Sequence, residues 1–363
     1  MDFQTYLQSS AQRIDQELDS FYQKWRQEVG EINPKLLPLL DLAIDASQGG
    51  KRLRGTLIKL GYEIALSSMS SSSLTGGSNN MDSRLHGNDN PEIYKVAVAY
   101  EIFQTAILAH DDIIDKSPLR RGKPTIYAAL GGDHYATSQA ICLGDIGFFL
   151  AFQIFAQSNF DPAKKSQAIE YFSKTMLDTG FGQMLDVELP KHSDTKEEDI
   201  LMIYRYKTAW YTIVGPLEVG ARLAGADQKL IDNIKVFGEA LGIAFQIQDD
   251  ILGVFGSEYA LGKSITSDIE EGKLTLLYLK ALENATPDQK DYLAKNYGQG
   301  SINNDQLTMI KKIFENTGSL KYTQDKAEKY VSEAKKVITD ITDHTDHIKL
   351  LNEMADYLIK RSK

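Results

Sequence analysis

The chain has 363 residues, 42% of them apolar and 25% charged, which suffices for a substantial core in one large helical domain or two smaller ones. A formal net charge of −10 argues against nucleic acid as the main partner. One cysteine, Cys142, and six scattered histidines without HExxH spacing exclude a disulfide framework, a thiolate metal site and that zinc motif.

The N-terminus lacks a basic start and an apolar run, so no secretion signal is expected, and the expected location is the cytoplasm. Residues 2 to 28 predict an amphipathic helix, with Phe3, Leu7, Ile14, Leu18, Phe21, Tyr22 and Trp25 at helical spacing. A second helix is expected over 35 to 46, framed by Pro34 and Pro38. The stretch GGKRLRG (49–55) then opens a third helix. Three cations at a helix start run against the helix dipole, so Lys51, Arg52 and Arg54 call for an external anion, or else form a solvated turn. Lys51 and Arg54, three apart, share a face and suit one diphosphate.

Residues 67 to 90 are rich in Ser, Gly and Asn and predict a long flexible loop, with no role for His86. Helix resumes at Pro91 and runs into HDDIIDKSPLRRGKPT. Asp111 and Asp115 stack one turn apart with Asp112 beside them, and three such carboxylates repel unless a cation sits among them. The natural occupant is Mg²⁺ carrying phosphate oxygens; the alternative is a solvated acidic helix end. The apolar run 141 to 156, broken by Asp145 and Gln153, reads as a buried core helix too short to span a bilayer, so no transmembrane segment is expected.

A helix over 164 to 189 carries Gln183 and Asp186, either functional or solvated, and its Gly180 and Gly182 permit close helix contact or a kink. The next, 197 to 224, should bend at Pro216 and places Lys207 and Thr208 in an aromatic, apolar setting, where an ammonium needs a partner or must snorkel. Residues 228 to 254 bring a second acidic pair, Asp249 and Asp250, followed by Lys263, Asp268 and Lys273. Further helices are expected over 272–284, 286–297, 302–315, 319–341 and 345–361, and no strand-type alternation persists. The expected fold is all-α: a large orthogonal or antiparallel bundle of more than ten helices around a central cavity, forming a single domain over 1–363.

The ordered set GGKRLRG, HDDIIDKSPLRRGKPT, LGD, GQMLD, YKTA, FQIQDDILG, and GK followed by DIEEGK resembles the trans-isoprenyl diphosphate synthases, or polyprenyl synthetase family, from about residue 5 to near 340, and geranylgeranyl diphosphate synthases in particular. The resemblance implies a homodimer in which Lys51, Arg54 and Arg121 bind isopentenyl diphosphate. Gln104 stands where the family often has His. Asp111, Asp115 and Asp249 are the implied ligands of a cluster of about three Mg²⁺ ions, for which Mn²⁺ can substitute. Arg120, Lys207, Thr208, Gln246, Lys263 and Lys273 match the contacts to the allylic diphosphate. Asp112, Asp250 and Asp268 match partners in the metal network. Two further departures stand out: Gly253 ends the second motif instead of Asp, and Gly55 ends the basic motif instead of Pro.

The implied reaction is the Mg²⁺-dependent head-to-tail condensation of isopentenyl diphosphate with an allylic diphosphate (dimethylallyl, geranyl or farnesyl). Product length is set along the helix bearing the first motif, by Phe103, Ala106 and Ile107, eight, five and four residues before Asp111. Ala106 leaves the fifth position open, which moves the expected stop to Phe103 and the product to about C20, with C15 or C25 and above as alternatives. Phe148, Phe149 and Phe152 are candidates to complete the floor. A class I terpene cyclase and a non-catalytic subunit of a heteromeric synthase are the rival readings.

Overall fold

The computed structural model describes residues 1–72, 90–256 and 266–359. Lys263, His86 and most of the Ser/Gly/Asn-rich stretch lie outside the described residues. Among the described residues the chain is an all-α bundle with more than ten helices.

Helix α1 (Phe3–Ile32) starts on the Asp2 side chain, which accepts from Thr5 N–H, and runs four residues beyond its expected end because nothing breaks it before Asn33–Pro34. Its buried face includes Phe3, Leu7, Ser10, Ile14, Leu18 and Tyr22, a spacing of three and four. After α2 (Leu37–Ser47) the chain turns through Gly49 and Arg52, both at positive φ, into α3 (Leu53–Ser72). Helix α3 thus runs past residue 67, where a loop was expected. Ser67 and Ser68 return their hydroxyls to the carbonyls of Ile64 and Ala65, which keeps these serines within the helix.

Helix α4 (Pro91–Ile114) has Asn90 as N-cap and Pro91 in its first turn. It is buried around most of its girth, between α3 and α1 on one side and α6 (His134–Gln157) on the other. Between them lie two features the sequence reading lacked. One is a two-residue hairpin, β1 (Leu119–Arg120) with β2 (Lys123–Pro124), paired antiparallel. The other is a short α5 (Ile126–Ala129). Arg121 (φ 53°) and Gly122 (φ 73°) supply the two positive-φ residues that a tight hairpin turn requires, so a strand pair forms where none was expected.

Helix α6 corrects the expectation for 141 to 156 in two respects. It spans 24 residues, matching the helix the sequence predicts over about 132 to 157, but among the described residues it is the one helix long and apolar enough to cross a membrane. It is also not buried all round. Its inner face packs on α4, whereas Ile141, Ile146 and Phe149 are exposed.

Helix α7 (Pro162–Glu188) leads to a stretch expected as one bent helix. The structure divides it into α8 (Glu197–Ile203), a π-helical segment (Tyr204–Val214) and α9 (Gly215–Ala224). Pro216 lacks the N–H that would continue the regular ladder, and the turns before it widen. The close approach of α3 and α9 depends on two glycines. A Cβ at Gly61 would lie 2.0 Å from Leu217 O, and one at Gly220 would lie 1.9 Å from Ile58 O. These backbones touch.

Helix α10 (Gln228–Phe255) crosses the π-helical segment and is followed by the single turn α11 (Ser267–Glu270). The expected helix 272–284 loses its first turn because Gly272 sits at φ 73°, and α12 covers Leu276–Asn284. After a helix at Pro287–Asn296, the last three expected helices become four elements, Asn304–Asn316, Ser319–Lys336, Ile338–Ile341 and Thr345–Ile359, because the expected 319–341 helix is divided at Val337.

Candidate active site

The first acidic motif closes α4, with Asp115 as its C-cap, whereas Asp249 and Asp250 lie within α10, more than a turn before its end at Phe255. Asp112 is 4% exposed, and Arg120 from β1 braces the cluster. Its Nε donates to Asp112 Oδ1 at 2.7 Å and an NH2 to Asp111 Oδ2 at 3.1 Å. Burial pushes the Asp112 carboxyl above its ordinary range, against the pull of Arg120. Burial likewise raises Asp115, against Lys273.

Lys207, from the π-helical segment, places Nζ 2.5 Å from Asp186 Oδ2 and 3.7 Å from Asp111 Oδ1. Burial works against its charge, but Asp186 and Asp111 hold its pKa above the usual lysine value. Gln183 donates to Asp111 Oδ1 at 3.3 Å. Gln183 and Asp186, left open by the sequence, therefore both face the first motif. Of the two glycines on α7, Gly182 makes the close contact: a Cβ there would lie 2.4 Å from the Lys207 backbone nitrogen, whereas nothing lies within 4 Å of one at Gly180.

Lys273 links the first motif to two carboxylates that follow the second. Its Nζ is 3.3 Å from Asp115 Oδ2, 3.4 Å from Asp268 Oδ1 and 2.9 Å from Glu271 Oε2. Burial disfavours this ammonium, yet Asp268, Asp115 and Glu271 together hold it charged, well above the ordinary value. Asp268 in turn fills the space at Gly253, where a Cβ would lie 2.4 Å from its Oδ2. Glycine at the end of the second motif is thus the room that Asp268 occupies.

On α10, Asp250 is buried and Asp249 half-buried. The Tyr204 hydroxyl donates to Asp250 Oδ2, and Gln246 Nε2 donates to Oδ1 at 2.8 Å. Thr208 Oγ1 donates to Gln246 Oε1 at 2.6 Å, which completes a chain from the π-helical segment to the second motif. Burial pushes Asp250 up to about 7 despite these hydrogen bonds. Tyr204 was missed from sequence, although it stands four residues before Thr208 and so shares its face.

The basic turn lies against the same segment. Arg54 NH2 donates to Thr212 Oγ1 at 2.7 Å, and its guanidinium carbon is 4.5 Å from the Tyr211 ring centroid. Gln104 does not stand alone: Tyr211 donates to its Oε1 at 2.5 Å. Lys51 is exposed and lies 5.5 Å from the Tyr357 ring. Arg121 NH1 donates to Gln48 O at 3.4 Å, and burial, followed by the neighbouring cations, depresses its pKa. Glu101 was also missed, though an acid within an apolar helix was the available signal. Its Oε1 accepts the Gly55 N–H at 3.0 Å, a bond that proline at 55 could not make.

Phe103 sits among Phe148 (4.7 Å between centroids), Phe172 (5.3 Å) and Phe152 (6.4 Å). Phe149 does not join them; it is 76% exposed on the far side of α6. Ala106 faces α6 at Gly147, where a Cβ would be 2.8 Å from its methyl, and both residues line a small cavity with Ile102, Ala109 and Leu150. Ile107 is partly buried in the same apolar cluster as Phe103.

The donor set is made of carboxylate oxygens, and among the described residues no three His, Cys, Asp or Glu side chains converge to hold an ion alone. That suits Mg²⁺, which takes one or two carboxylates and completes its octahedron with phosphate oxygens and water. Asp111, Asp115 and Asp249 are the residues that would hold it.

The sequence pattern that defines the polyprenyl synthetases matches residues 38–316, a span that includes every site residue named above except Tyr357. The chain belongs to the polyprenyl synthetase family. It is 32% identical over 320 residues to a geranylgeranyl diphosphate synthase of Sulfolobus acidocaldarius, covering 87% of this chain and 88% of that protein. A geranylfarnesyl diphosphate synthase of Natronomonas pharaonis is 29% identical over 314 residues, covering 86% and 87%. The polyprenyl synthetase fold is matched by the crystal structure of a geranylgeranyl pyrophosphate synthase from Corynebacterium glutamicum complexed with isoprenyl diphosphate and magnesium. That match has a TM-score of 0.85 at 26% identity and covers 99% of this chain and 100% of that one.

Proposed function

We propose that this chain is a trans-prenyltransferase that condenses isopentenyl diphosphate with an allylic diphosphate and releases diphosphate. The observation that carries the reading is Lys273, whose single ammonium lies within 3.4 Å of Asp115 from the first motif and Asp268 beyond the second. Asp268 in turn lies against Gly253 of the second motif, which supports a single site served by both acidic motifs, beside a separate basic turn.

In the proposed reaction Asp111, Asp115 and Asp249 hold Mg²⁺, which when bound supplies positive charge to the leaving diphosphate. Arg120, Lys207 and Lys273, with Lys263, donate to the same diphosphate, and Thr208 and Gln246 orient it. The allylic C–O bond breaks and its electron pair leaves with the diphosphate. Lys51, Arg54 and Arg121 hold isopentenyl diphosphate so that its double bond attacks the allylic cation, forming one C–C bond. A proton is then lost, and the departing diphosphate accepts it. The apolar walls exclude water, which would otherwise quench the cation.

The proposed product is geranylgeranyl diphosphate (C20), with C15 or C25 and above as alternatives. Phe103 lies eight residues before Asp111, about 12 Å along the helix, and the rings of Phe148, Phe152 and Phe172 back it. The exposed Phe149 and Ile146 on α6, and Leu177, Phe181 and Met184 on α7, support a homodimer.

The test is incubation of purified protein with Mg²⁺, isopentenyl diphosphate and dimethylallyl, geranyl or farnesyl diphosphate, followed by chromatography of the dephosphorylated products. Extension by five-carbon units is expected, and Asp249→Asn should abolish it. A cyclic hydrocarbon formed without isopentenyl diphosphate, or turnover only after a second protein is added, would overturn the proposal.

A further inference from the structure

The basic turn holds two arginines in opposite surroundings. Arg52 is buried and saturated: its Nε meets Asp15 Oδ1 at 2.6 Å, and its NH1 meets Ser47 O at 2.7 Å and Glu101 Oε2 at 3.7 Å. Its charge is spent inside the fold. Arg54 has only neutral partners, the Thr212 hydroxyl at 2.7 Å and the face of the Tyr211 ring, and its Nε is buried with no hydrogen-bond partner. No carboxylate among the described residues comes within 4.0 Å of it. Arg54 is therefore oriented without being neutralised, as a residue that grips an anion must be.

Thr212 makes that orientation. A guanidinium is a rigid planar fork, so pinning one N–H fixes the directions of the others. Thr212 is 1% exposed, and its methyl and hydroxyl are locked in the π-helical segment that also carries Lys207 and Thr208. The Tyr211 ring beneath the guanidinium is held in turn by its bond to Gln104 and by Tyr100, whose hydroxyl donates to Tyr211 O at 3.2 Å. We infer that Thr212 is a positioning residue for isopentenyl diphosphate, acting through Arg54 and resting on the function proposed above. One helical segment then holds the donor's cation directly and the acceptor's cation through a hydroxyl.

The experiment compares Thr212→Val, which keeps the shape and removes the hydroxyl, with Thr212→Ser, which keeps the hydroxyl. Both are measured alone and in an Arg54→Ala background, with thermal melts to establish folding. A hydrogen bond to a charged group is strong enough that its loss should raise KM for isopentenyl diphosphate about tenfold or more. KM for the allylic substrate should stay within about twofold, and Thr212→Ser should behave as wild type within the same margin. In the Arg54→Ala background, Thr212→Val should add nothing further. If Thr212→Val does not fold, Thr212→Ala takes its place in the same comparisons. An equal rise in both KM values, an unchanged KM for isopentenyl diphosphate, or an effect that persists without Arg54 would overturn the assignment alone. A wild-type protein that extends no allylic diphosphate would instead remove the proposed function, and this assignment with it.

Discussion

Replacing Gly182 with alanine tests how far the proposed donor seat depends on the contact between α7 and the π-helical segment. A Cβ at 182 would lie 2.4 Å from Lys207 N and 2.8 Å from Lys207 Cα, whereas ordinary contact begins at 3.4 Å. Backbone atoms cannot swing aside, so the two elements must part by about 1 Å. Asp186 lies one turn further along α7 and would be carried away from Lys207 Nζ, now 2.5 Å distant. A displacement of about 1 Å at a positioned group costs on the order of 100-fold in rate. The stability cost is smaller: overpacking costs about 1–3 kcal/mol, offset by about 1 kcal/mol of helix propensity gained over glycine. The expected variant therefore melts no more than about 8 °C lower but turns over about 100-fold more slowly. Gly30→Ala is the control, because a Cβ there meets only Leu37 side-chain carbons at 3.8 Å; it should keep the wild-type rate. A Gly182→Ala enzyme within threefold of the wild-type rate would refute the argument.

Phe103→Ala removes the ring that packs on Phe148 and Phe172 and should shift the product to longer chains, read by chromatography of the dephosphorylated alcohols. Ala106→Phe, which on sequence grounds should shorten the product, has no room beside Gly147 and should lower the melting temperature as well. Glu197 ties α8 to the helices at 276–284 and 319–336 through Lys280, Lys326 and Tyr322. Burial alone would raise its carboxyl, but these partners bring it down to about 2. A depressed carboxyl stabilises the fold above its unfolded pKa, and that contribution is lost as pH falls towards the folded value. Wild type should therefore exceed Glu197→Gln in denaturant midpoint at neutral pH, and the gap should close between about 4.5 and about 2. A gap that does not change with pH would exclude the ion pairs as its source.

The acidic motifs were legible because their chemistry is local: Asp111, Asp112 and Asp115 share a helix end, and the spacing alone puts them together. The partners that hold them were not. Asp186 and Lys207 are 21 residues apart on different elements, and nothing in either stretch encodes the 2.5 Å contact. The π-helical segment was also hidden, since widening each turn leaves the apolar composition unchanged and only Pro216 hinted at a disturbance. The sidedness of α6 escaped because both its faces are apolar; Phe148 turns inward and Phe149 outward, and hydrophobicity cannot tell them apart. The hairpin could have been found from Arg121-Gly122, had two-residue strands been allowed.

The glycine pair at 61 and 220 has a mechanical consequence. Main chain rests on main chain where α3 meets α9, with no side chain between them to slide or change rotamer. The basic turn that opens α3 and the π-helical segment that leads into α9 are thereby braced as one body. A displacement of either element must therefore carry the other with it.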